Sequence, residues 1–499
     1  MAFPTREKYK GRTRRLLLAF DIGTTFSGIS YSILDPEKVP EILPVTRYPS
    51  QERAGGDIKI PTVIYYDKDG KPCKTGAETL EEGIEEDAED NGWNKAHWFK
   101  LHLRPKPRQK GFVNRFSMLS LGSETIPSLP LGKTVVQVFA DYMRYLHECA
   151  KTYIEETHGE KIWSLLRGDI MYILTHPNGW GGPQQAEMRQ AAIQAGFIPD
   201  TVEGHSRVTF VTEGEASLHF CLSNGLSIAG SDENSGVLIV DAGGGTIDIT
   251  SYRKLQDHTF EEIAIPACHF QGAVYVTMRA EAYFKELLSK TRFRGDIPTL
   301  TRRFDRTTKH VFRRDDEPLH IQFASNRERD QTLNIRGGRM TLDGQRVATF
   351  FEPSISCIVE AIKTQQRTAH FPIKSVFLVG GFSASTWLYE KVKEAIRPLG
   401  IAVSRPDTHV NKAVANGAVS FYLDAAVKSR VARLTYGIET FVHYDRSDPS
   451  HVARAHLVRS CPVHGRQVLY DHFSSILAKV KLFPSPMKSG SQLTTPIHV

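Results

Sequence analysis

A short hairpin pattern that occurs twice in the chain constrains the fold more than any other feature. The first copy lies at residues 16–34, where an apolar run turns through Gly23-Thr24-Thr25 and continues with alternating apolar residues. The second copy lies at residues 236–253, about 220 residues downstream, and turns through Gly243-Gly244-Gly245-Thr246. Apolar runs and two-residue alternation that flank turn residues are typical of strands. The repetition predicts two similar halves, each built around one hairpin.

The first strand of each hairpin ends in an aspartate, Asp21 in one copy and Asp241 in the other. Turns of Gly and Thr present several backbone N–H groups together, and their small residues let a polyphosphate approach closely. A carboxylate at the strand end suits a hydrated Mg²⁺ that bridges to phosphates. One such turn also closes ordinary hairpins, but two turns with equivalent aspartates predict a polyphosphate site with Mg²⁺.

Composition is that of an ordinary globular protein and excludes several classes. Of the 499 residues, 40% are hydrophobic and 24% are charged, which excludes wholesale disorder and collagen-like structure. The net charge of +7 is small for this length, so it does not indicate a nucleic-acid-binding protein. The six cysteines contain no CxxC pair, which fits neither a zinc site nor a disulfide framework and favours a reducing compartment.

The N-terminal segment is basic, with six Lys or Arg residues between positions 6 and 15. The apolar run after it stops at Asp21 after five residues. A secretory signal needs an apolar core of about 7–15 residues and a membrane helix needs about 20. We therefore expect residues 1–15 to be a solvated tail, and we expect a cytoplasmic protein without membrane insertion.

Between and after the hairpins, strand signals alternate with helix signals, and the acidic run at residues 81–90 is interpreted as a solvated helix face. This order predicts an α/β protein with a β-rich piece after Val431. Helices are predicted at residues 134–156, 183–196, 353–368, 385–397 and 411–428, and buried strands at residues 170–174 and 375–379.

Six segments in order resemble motifs of one ATPase family. AFDIGTTFSG and VDAGGGTIDI are similar to the two phosphate motifs of the actin-like ATPase superfamily, in the form found in the 70-kilodalton heat-shock (DnaK-type) chaperones. THPNGWGGPQQAEMRQAAIQAG resembles the proline-switch segment, VTEGEAS the turn before the catalytic Glu helix, LVGGFSAS the adenosine motif and AVANGAVSF the second connecting helix. The wording GGFSAS, FFEPSISCIVEAI and TYGIET resembles the divergent family-12 branch.

The resemblance covers residues 16–428 and implies the two-lobed actin-like ATPase fold, which consists of duplicated ribonuclease-H-like lobes with a short β-rich C-terminal extension. ATP or ADP with Mg²⁺ would lie in the cleft between the lobes. The implied units are a basic tail (1–15), lobe I (16–205), lobe II (206–410), a connecting helix (411–428), a truncated β-rich extension (429–482) and a disordered tail (483–499).

Carried over position by position, the resemblance also assigns site residues. Asp21 and Asp241 would hold the metal through water. The nucleotide contacts would come from the phosphate turns, the adenosine motif and one helix lysine: Gly23, Thr24, Thr25, Gly243, Gly244, Gly245, Thr246, Lys309, Gly380, Gly381 and Ser383.

Lys100, Glu213 and Asp241 are the predicted catalytic residues. Lys100, in HWFKLHL, occupies the place of the family's catalytic Lys, where a cation stabilises the charge that develops on the transferred phosphoryl group. Glu213 would orient water or metal, with a weaker contribution of the same kind from Asp248. Pro177 would relay the nucleotide state between the lobes.

Three segments depart from the family pattern. The adenine-facing helix, FDRTTKHVF, offers Asp305, Lys309 and His310 in a shifted spacing, and GGFSAS lacks the Arg that would stack on adenine. These differences predict weaker nucleotide binding than in a standard chaperone. About 70 residues come after the ATPase region, too few for a peptide-binding β-sandwich together with a helical lid, and no acidic-hydrophobic linker precedes them.

Two functions remain open from the sequence. The first is a slow, chaperone-like ATPase whose lobes open and close with nucleotide and which has protein clients or co-chaperone-like partners. The second is a nucleotide-gated interaction module with negligible turnover. A sugar kinase of the same superfamily is disfavoured because the sugar signature is missing, and a nucleic-acid role for residues 292–314 is disfavoured because no aromatic residues interleave the charges.

Overall fold

Strands and helices alternate along the chain and gather into two large sheets with helices packed on them. The computed structural model describes residues 6–54, 58–105, 126–224, 235–406, 413–479 and 481–484. The strands are β1 Arg15–Ile22, β2 Phe26–Leu34, β3 Leu43–Pro44, β4 Ile60–Pro61, β5 Val63–Tyr66, β6 Pro72–Thr75, β7 Asn94–His97, β8 Ile170–His176, β9 Val208–Thr212, β10 Gly236–Ala242, β11 Ile247–Lys254, β12 Phe260–Glu262, β13 Ala267–His269, β14 Leu319–Gln322, β15 Arg329–Asp330, β16 Ile335–Arg336, β17 Arg339–Leu342, β18 Ile373–Val379, β19 Ala402–Ser404, β20 Val427–Val431, β21 Tyr436–His443, β22 Val458–Ser460, β23 Gln467–Leu477 and β24 Leu482–Pro484. The α-helices are α1 Ile84–Asn91, α2 Val135–His158, α3 Ile162–Leu166, α4 Gly182–Gln194, α5 Val202–Ser206, α6 Glu213–Ser223, α7 Ala273–Leu288, α8 Ile297–Arg303, α9 Lys309–Val311, α10 Gly344–Thr368, α11 Thr386–Ile396, α12 Ala413–Asp424 and α13 Pro449–Val452.

The two large sheets repeat one topology. In the first sheet the order is β3-β2-β1-β8-β9, and in the second the corresponding stretch is β12-β11-β10-β18-β19. Each central strand, β1 or β10, is antiparallel to the next strand of its hairpin and parallel to a later strand, β8 or β18. The predicted α/β fold with two similar halves is therefore confirmed. We call the first half lobe I and the second half lobe II.

Each lobe has its own apolar core under its sheet. In lobe I, α2 begins at a capping box formed by Thr134 and Gln137, and its apolar stripe is buried against β1 and β8. The stripe residues Val138, Phe139 and Leu146 are at most 1% exposed. In lobe II, α7, α10 and α11 bury their apolar faces against β10 and β18. Asp21 and Asp241 are the penultimate residues of the central strands β1 and β10, so they lie at equivalent carboxyl ends of the two sheets.

Helices α6 and α12 join the lobes. The apolar face of α6 packs on the sheet of lobe II, whereas α12 packs on β1 and β8 of lobe I. The two helices cross so closely that a Cβ atom added to Gly417 would lie 1.8 Å from the backbone oxygen of Ala216. Glycine is therefore required at this crossing because any side chain would push the helices apart.

Two predicted helix boundaries are wrong, for reasons outside the local sequence. Helix α10 begins at Gly344, capped by Asp343, so the predicted start at Pro353 lies inside the helix. Burial of this helix against the lobe II core offsets an interior proline that costs about 3 kcal/mol. The helix predicted for residues 411–428 ends at Asp424, because Ala425 takes a left-handed conformation (φ 45°) and Val427 then starts β20; residues 411 and 412 lie outside the described residues.

The C-terminal part is rich in strands, as predicted. Strand β20 pairs in parallel with β12 and extends the sheet of lobe II, and β24 pairs with β20. The intervening strands form a separate sheet in the order β21-β23-β22. Residues 485–499, most of the predicted disordered tail, lie outside the described residues. The exact domain boundaries stay predictions.

At the N-terminal end, part of the predicted solvated tail contacts lobe I. Residues 6–14 are mostly exposed, but Arg6 forms an ion pair with Asp424 at the end of α12, with 2.7 Å between Nε and Oδ1. The backbone N–H of Tyr9 donates to the carbonyl of Lys38. Residues 1–5 are not among those described. Within the described ranges, no helix combines the length and the apolar character needed to cross a membrane.

The close helix crossing generates a stability prediction. We expect Gly417→Ala to lower the free energy of unfolding by about 1–3 kcal/mol, because its methyl group would collide with the backbone of α6. Gly295→Ala is the matched control, since no atom lies within 4 Å of its added Cβ. Urea unfolding of both variants checks this, and equal stability of the two would contradict the crossing geometry.

Candidate functional site

The two hairpin turns have the same internal geometry. In the first, the N–H of Gly23 donates to the carbonyl of Phe26 at 3.2 Å, and in the second, the N–H of Gly243 donates to that of Thr246 at 2.9 Å. The next two amides of each turn, Thr24 and Thr25 in one and Gly244 and Gly245 in the other, donate no hydrogen bond to any described residue. Such unused neighbouring amides suit an anion.

The turns face each other across the cleft and are in contact. A Cβ added to Gly244 would lie 2.3 Å from Oγ1 of Thr25, and one added to Gly245 would lie 2.3 Å from Oγ1 of Thr24. Only glycine permits this approach. A polyphosphate between the turns therefore requires the lobes to move apart.

The start of α7 fixes the orientation of the glycine turn. The N–H groups of Gly272, Ala273 and Val274 donate to the carbonyls of Gly245, Gly243 and Gly244 at 2.9–3.2 Å. These bonds satisfy amides at the beginning of the helix that would otherwise lack partners. Because the carbonyls of the turn are bound to α7, its free amides are left for a ligand.

Asp21 and Asp241 lie at equivalent positions but have different partners. Asp21 is 3% exposed; its Oδ2 lies 2.5 Å from Nζ of Lys59, and its Oδ1 accepts a hydrogen bond from Thr175 at 3.2 Å. Asp241 is 4% exposed and accepts a hydrogen bond from the Ser217 hydroxyl of α6 at 2.6 Å. Of the two, Asp21 alone has a cation in direct contact among the described residues.

Burial shapes the protonation of the second hairpin. Desolvation, together with the negative charge of Glu213, raises the pKa of Asp241 to about 7. Desolvation and Glu213 also raise the pKa of Asp248, which lies directly opposite Asp241 in the β10–β11 pair. The Oδ2 atom of Asp248 is buried without a hydrogen-bond partner among the described residues. A carboxylate in this state favours a proton or a cation.

Lys100 and Glu213 form one buried ion pair. Lys100 lies in the short 3₁₀ turn Phe99–Leu103 of lobe I, and Glu213 is the first residue of α6. Their Nζ and Oε1 atoms are 2.6 Å apart, and their side chains are 3% and 11% exposed. The ammonium of Lys100 also lies 5.6 Å from the ring centroid of Trp180. The pair links the lobes and brings together two predicted catalytic residues.

The loop after β8 binds lobe II through Asn178, next to the predicted relay Pro177. The backbone N–H of Asn178 donates to Oδ1 of Asp248 at 2.5 Å, and its side-chain amide donates to Oγ1 of Thr250 at 2.9 Å. The guanidinium of Arg433, which lies just after β20, donates to the backbone carbonyl of Asn178. The start of the C-terminal part is thus bonded to a loop that touches the candidate site.

The predicted adenosine residues lie at the end of β18, beside the second hairpin. Gly380 has a φ of 84°, and a Cβ added to it would lie 2.3 Å from Oδ1 of Asp241. The hydroxyl of Ser383 donates to the carbonyl of Gly380 at 2.7 Å, and Gly381 is exposed between them. This arrangement joins the segment to the metal-binding candidate Asp241.

Lys309 begins α9, directly after a π-helical turn at Phe304–Thr308, and its side chain contacts α7. Its Nζ lies 2.5 Å from Oδ1 of Asp305 and 3.0 Å from Oγ1 of Thr277 in the second turn of α7. Burial is the largest single influence and opposes ionisation of Asp305, but the charge of Lys309 together with the hydrogen bonds from Lys309 and Thr277 lowers its pKa. Lys309 is therefore neutralised by its own helix in this structure.

The structure brings the predicted residues of both turns, the metal-binding pair and the catalytic pair into one cleft, while Lys309 lies behind the start of α7. The sequence reasoning missed Lys59, Asn178 and Arg433. Lys59, just before Ile60-Pro61, is separated from Asp21 by 38 positions. The local sequence around Lys59 and Arg433 carries no signal for their contacts. The only available signal for Asn178 is that a polar residue follows Pro177.

The donor set fits a hydrated metal rather than a closed protein cage. Among the described residues, no three His, Cys, Asp or Glu side chains are close enough to hold a metal by themselves. Mg²⁺ usually retains several waters and takes one or two carboxylates together with phosphates. The unpartnered oxygen of Asp248 and the shifted pKa of Asp241 are compatible with such a cation.

A separate cavity lies outside this cleft. It has a volume of about 610 Å³ and is lined by residues that include Trp163, Ile170, Phe197 and Arg207. Ile170 begins β8, which runs parallel to β1. The cavity therefore lies at the amino ends of these strands, whereas Asp21 lies near the carboxyl end of β1. This cavity is therefore not part of the candidate site, which is identified by its aspartates and unused amides.

The raised pKa of Asp241 predicts a pH dependence of stability. The folded state binds this proton more tightly than the unfolded state, so the stabilisation is complete below the ordinary value of 3.8 and is lost as the pH rises through about 7. In the absence of Mg²⁺ and nucleotide, we expect Asp241→Asn to be more stable than wild type at about pH 8 and similar at about pH 4. Urea unfolding at both pH values measures this.

Asp69→Asn is the control for this prediction, since Asp69 is exposed. Its stability relative to wild type is expected to be independent of pH. A lower stability of Asp241→Asn at the higher pH would contradict the assigned environment of Asp241.

The comparisons with known proteins agree on one group of relatives. The chain is similar to heat shock 70 kDa protein 12A of Homo sapiens, with 23% identity over an alignment of 520 positions that covers 86% of this chain and 72% of the relative. Protein 12A of Mus musculus is 22% identical, and the alignment covers 87% of this chain and 73% of the relative. Protein 12B of Homo sapiens is 23% identical, and the alignment covers 85% of this chain and 71% of the relative. No protein-family model matches the chain.

This similarity extends over most of the chain and confirms the resemblance predicted from the motifs. The duplicated sheets with their two facing hairpins are accordingly those of the actin-like ATPase fold.

Proposed function

We propose that this chain, a relative of the family-12 heat-shock 70 kDa proteins, binds ATP or ADP with Mg²⁺ between its lobes and hydrolyses ATP slowly. The observation that carries the proposal is the pair of equivalent turns, each with an aspartate at the preceding strand end, that face each other across the cleft. Their unused amides and small residues supply what a polyphosphate requires.

Nucleotide binding is assigned to the turns and to the segment after β18. The amides and hydroxyls of Thr24 and Thr25 act from lobe I, and those of residues 243–246 act from lobe II. Gly380 and Ser383 border the nucleoside. Because the turns touch in this structure, nucleotide entry separates the lobes, and the contacts of both turns with one polyphosphate then hold them at a new spacing. Nucleotide state is thereby coupled to lobe position.

The hydrolytic step is assigned to Lys100 and Glu213. Once a nucleotide separates the pair, the ammonium of Lys100 stabilises the charge that develops on the γ-phosphoryl oxygens, and the carboxylate of Glu213 orients the attacking water. Asp21 and Asp241 would hold Mg²⁺ through water, and the bound ion would supply charge neutralisation to the phosphates. Breaking the 2.6 Å ion pair before each turnover is consistent with slow hydrolysis.

A second candidate is a nucleotide-gated interaction module with little turnover. Two ion pairs favour this second function, Lys100 with Glu213 and Lys309 with Asp305. Both lysines proposed to contact the nucleotide are already paired with a carboxylate of this chain. In either case we propose protein clients or co-chaperone-like partners. Single-turnover measurements with purified wild-type protein separate the two functions, since the module should show no hydrolysis above buffer.

Variants of the ion pair test the catalytic assignment. We expect Lys100→Met and Glu213→Gln each to lower single-turnover hydrolysis at least tenfold, because one lost electrostatic contact costs about 2.7–4 kcal/mol of barrier. ATP affinity should change much less, because these groups act mostly in the transition state. Rapid-quench hydrolysis and equilibrium ATP binding measure the two effects.

The double variant Lys100→Met with Glu213→Gln is the control, because each single variant leaves a buried charge unpaired and destabilises the fold. The double variant removes both charges and is expected to regain stability while hydrolysis stays low. Recovery of the hydrolysis rate in the double variant would show that the pair is only structural.

Calorimetry tests the metal assignment. We expect Asp241→Asn to weaken Mg·ATP binding by about 1–3 kcal/mol, by analogy with a charged hydrogen bond, and to leave metal-free ATP binding nearly unchanged. Titrations with and without Mg²⁺ measure the difference, with Asp69→Asn as the control. Equal losses in both titrations would exclude a metal role for Asp241.

A further inference from the structure

Three arginines lie directly opposite one another on the small sheet of lobe II. The strand order in this sheet is β14-β17-β16-β15. Its register pairs Arg329 with Arg336, Arg336 with Arg339, and Arg339 with Gln322. Residues that are directly opposite in antiparallel strands share one face of the sheet. We call Arg329, Arg336 and Arg339 the arginine row.

The fold fixes this row on the outer surface. Gly337 and Gly338, with φ of 61° and 67°, form the two-residue turn between β16 and β17 and set the register of that hairpin. The neighbouring positions Ile335 and Met340 are at most 2% exposed and face the core. By alternation, the three arginines point to solvent, and all three are exposed.

The row has no counter-charge within the described part of the chain. None of its guanidinium groups forms an ion pair or a side-chain hydrogen bond there. The adjacent carboxylate of Glu328 is bound by Arg292 at 3.0 Å. The next, Asp330, accepts hydrogen bonds from Thr332 and from the backbone of its own turn, which lower its pKa. Like charges directly opposite in a sheet are destabilising, so the register gives the row no favourable charge contact among the described residues.

We propose that the arginine row binds an acidic segment of a partner protein. Neighbouring strands lie about 4.8 Å apart, so the three arginines form a ladder about 10 Å long, which long flexible side chains can extend to reach two or three carboxylates of an acidic stretch. Arginine binds carboxylates through two parallel hydrogen bonds, which adds geometric selectivity to the charge attraction. The four strands contain no Phe, Tyr or Trp, so the surface lacks the stacking residues with which proteins bind single-stranded nucleic acids.

A fluorescein-labelled decapeptide of alternating Glu and Ser is the probe, and anisotropy with the full chain is the measurement. We expect wild type to bind the peptide and to lose affinity as salt is raised. The triple variant, with Arg329→Gln, Arg336→Gln and Arg339→Gln, should have at least about tenfold lower affinity for the peptide. The loss of a single charged hydrogen bond would already have this effect. The same three positions changed to Lys should give an intermediate loss, because the charge remains but the paired hydrogen bonds do not.

The matched control replaces three exposed lysines of lobe I, Lys38, Lys68 and Lys71, with Gln and removes the same net charge. It should bind like wild type. An equal loss in this control, unchanged binding in the triple Arg→Gln variant, or tighter binding of a single-stranded oligonucleotide than of the peptide would each overturn the proposal. The thermal midpoint of the triple Arg→Gln variant should equal or exceed that of wild type, because like-charge repulsion is removed; a lower midpoint would mean that the row stabilises the fold itself and would also overturn it.

Discussion

The crossing of α6 and α12 at Gly417 and Ala216 determines where the polar groups of the cleft lie. The two helices belong to different cores, yet they meet with backbone almost touching backbone. Helix α6 carries Glu213 at its first position and Ser217 one turn later, and these residues bind Lys100 of lobe I and Asp241 of lobe II. The positions of the reactive side chains thus result from apolar packing of the two helices. A shift of this crossing would therefore move Glu213 and Ser217 relative to Lys100 and Asp241.

Among the described residues, two of the four buried acids in the cleft have no lysine bound to them. Four acidic residues, Asp21, Glu213, Asp241 and Asp248, are buried there, and two lysines, Lys59 and Lys100, are paired with the first two of them. Desolvation and mutual repulsion consequently raise the pKa values of Asp241 and Asp248, the two acids to which neither lysine is bound. A bound divalent cation would take the place of the protons that the raised pKa values favour on these two acids, and the triphosphate that accompanies it would engage the amides of the turns. Metal binding at this site is therefore expected to release protons.

Local signals allowed much of the fold to be predicted. Each hairpin is defined by alternation and turn residues within about 18 positions, so both hairpins and the duplication could be predicted directly. The start of α10 and the end of α12 could not, because Pro353 is tolerated only through packing of α10 in the lobe II core and Ala425 turns only because β20 pairs with β12. The partners of Asp21 and Asn178 were missed for the same reason. Lys59 and Arg433 reach them from distant elements, and single-sequence patterns carry no information about which distant elements meet.

The pairing of β20 with β24 has a mechanical consequence for the C-terminal part. Strand β20 enters the small sheet of β21–β23, and β24 returns from it to lie beside β20 at the edge of the lobe II sheet. The β21–β23 sheet is therefore, in topology, an insertion whose entry strand β20 and exit strand β24 are hydrogen-bonded to each other. A force applied to the β21–β23 sheet is transmitted to β20 and β24. Arg433, just beyond β20, transmits part of this force to the loop at Asn178. A swing of the β21–β23 sheet away from lobe II would therefore load the backbone hydrogen bonds between β20 and β24.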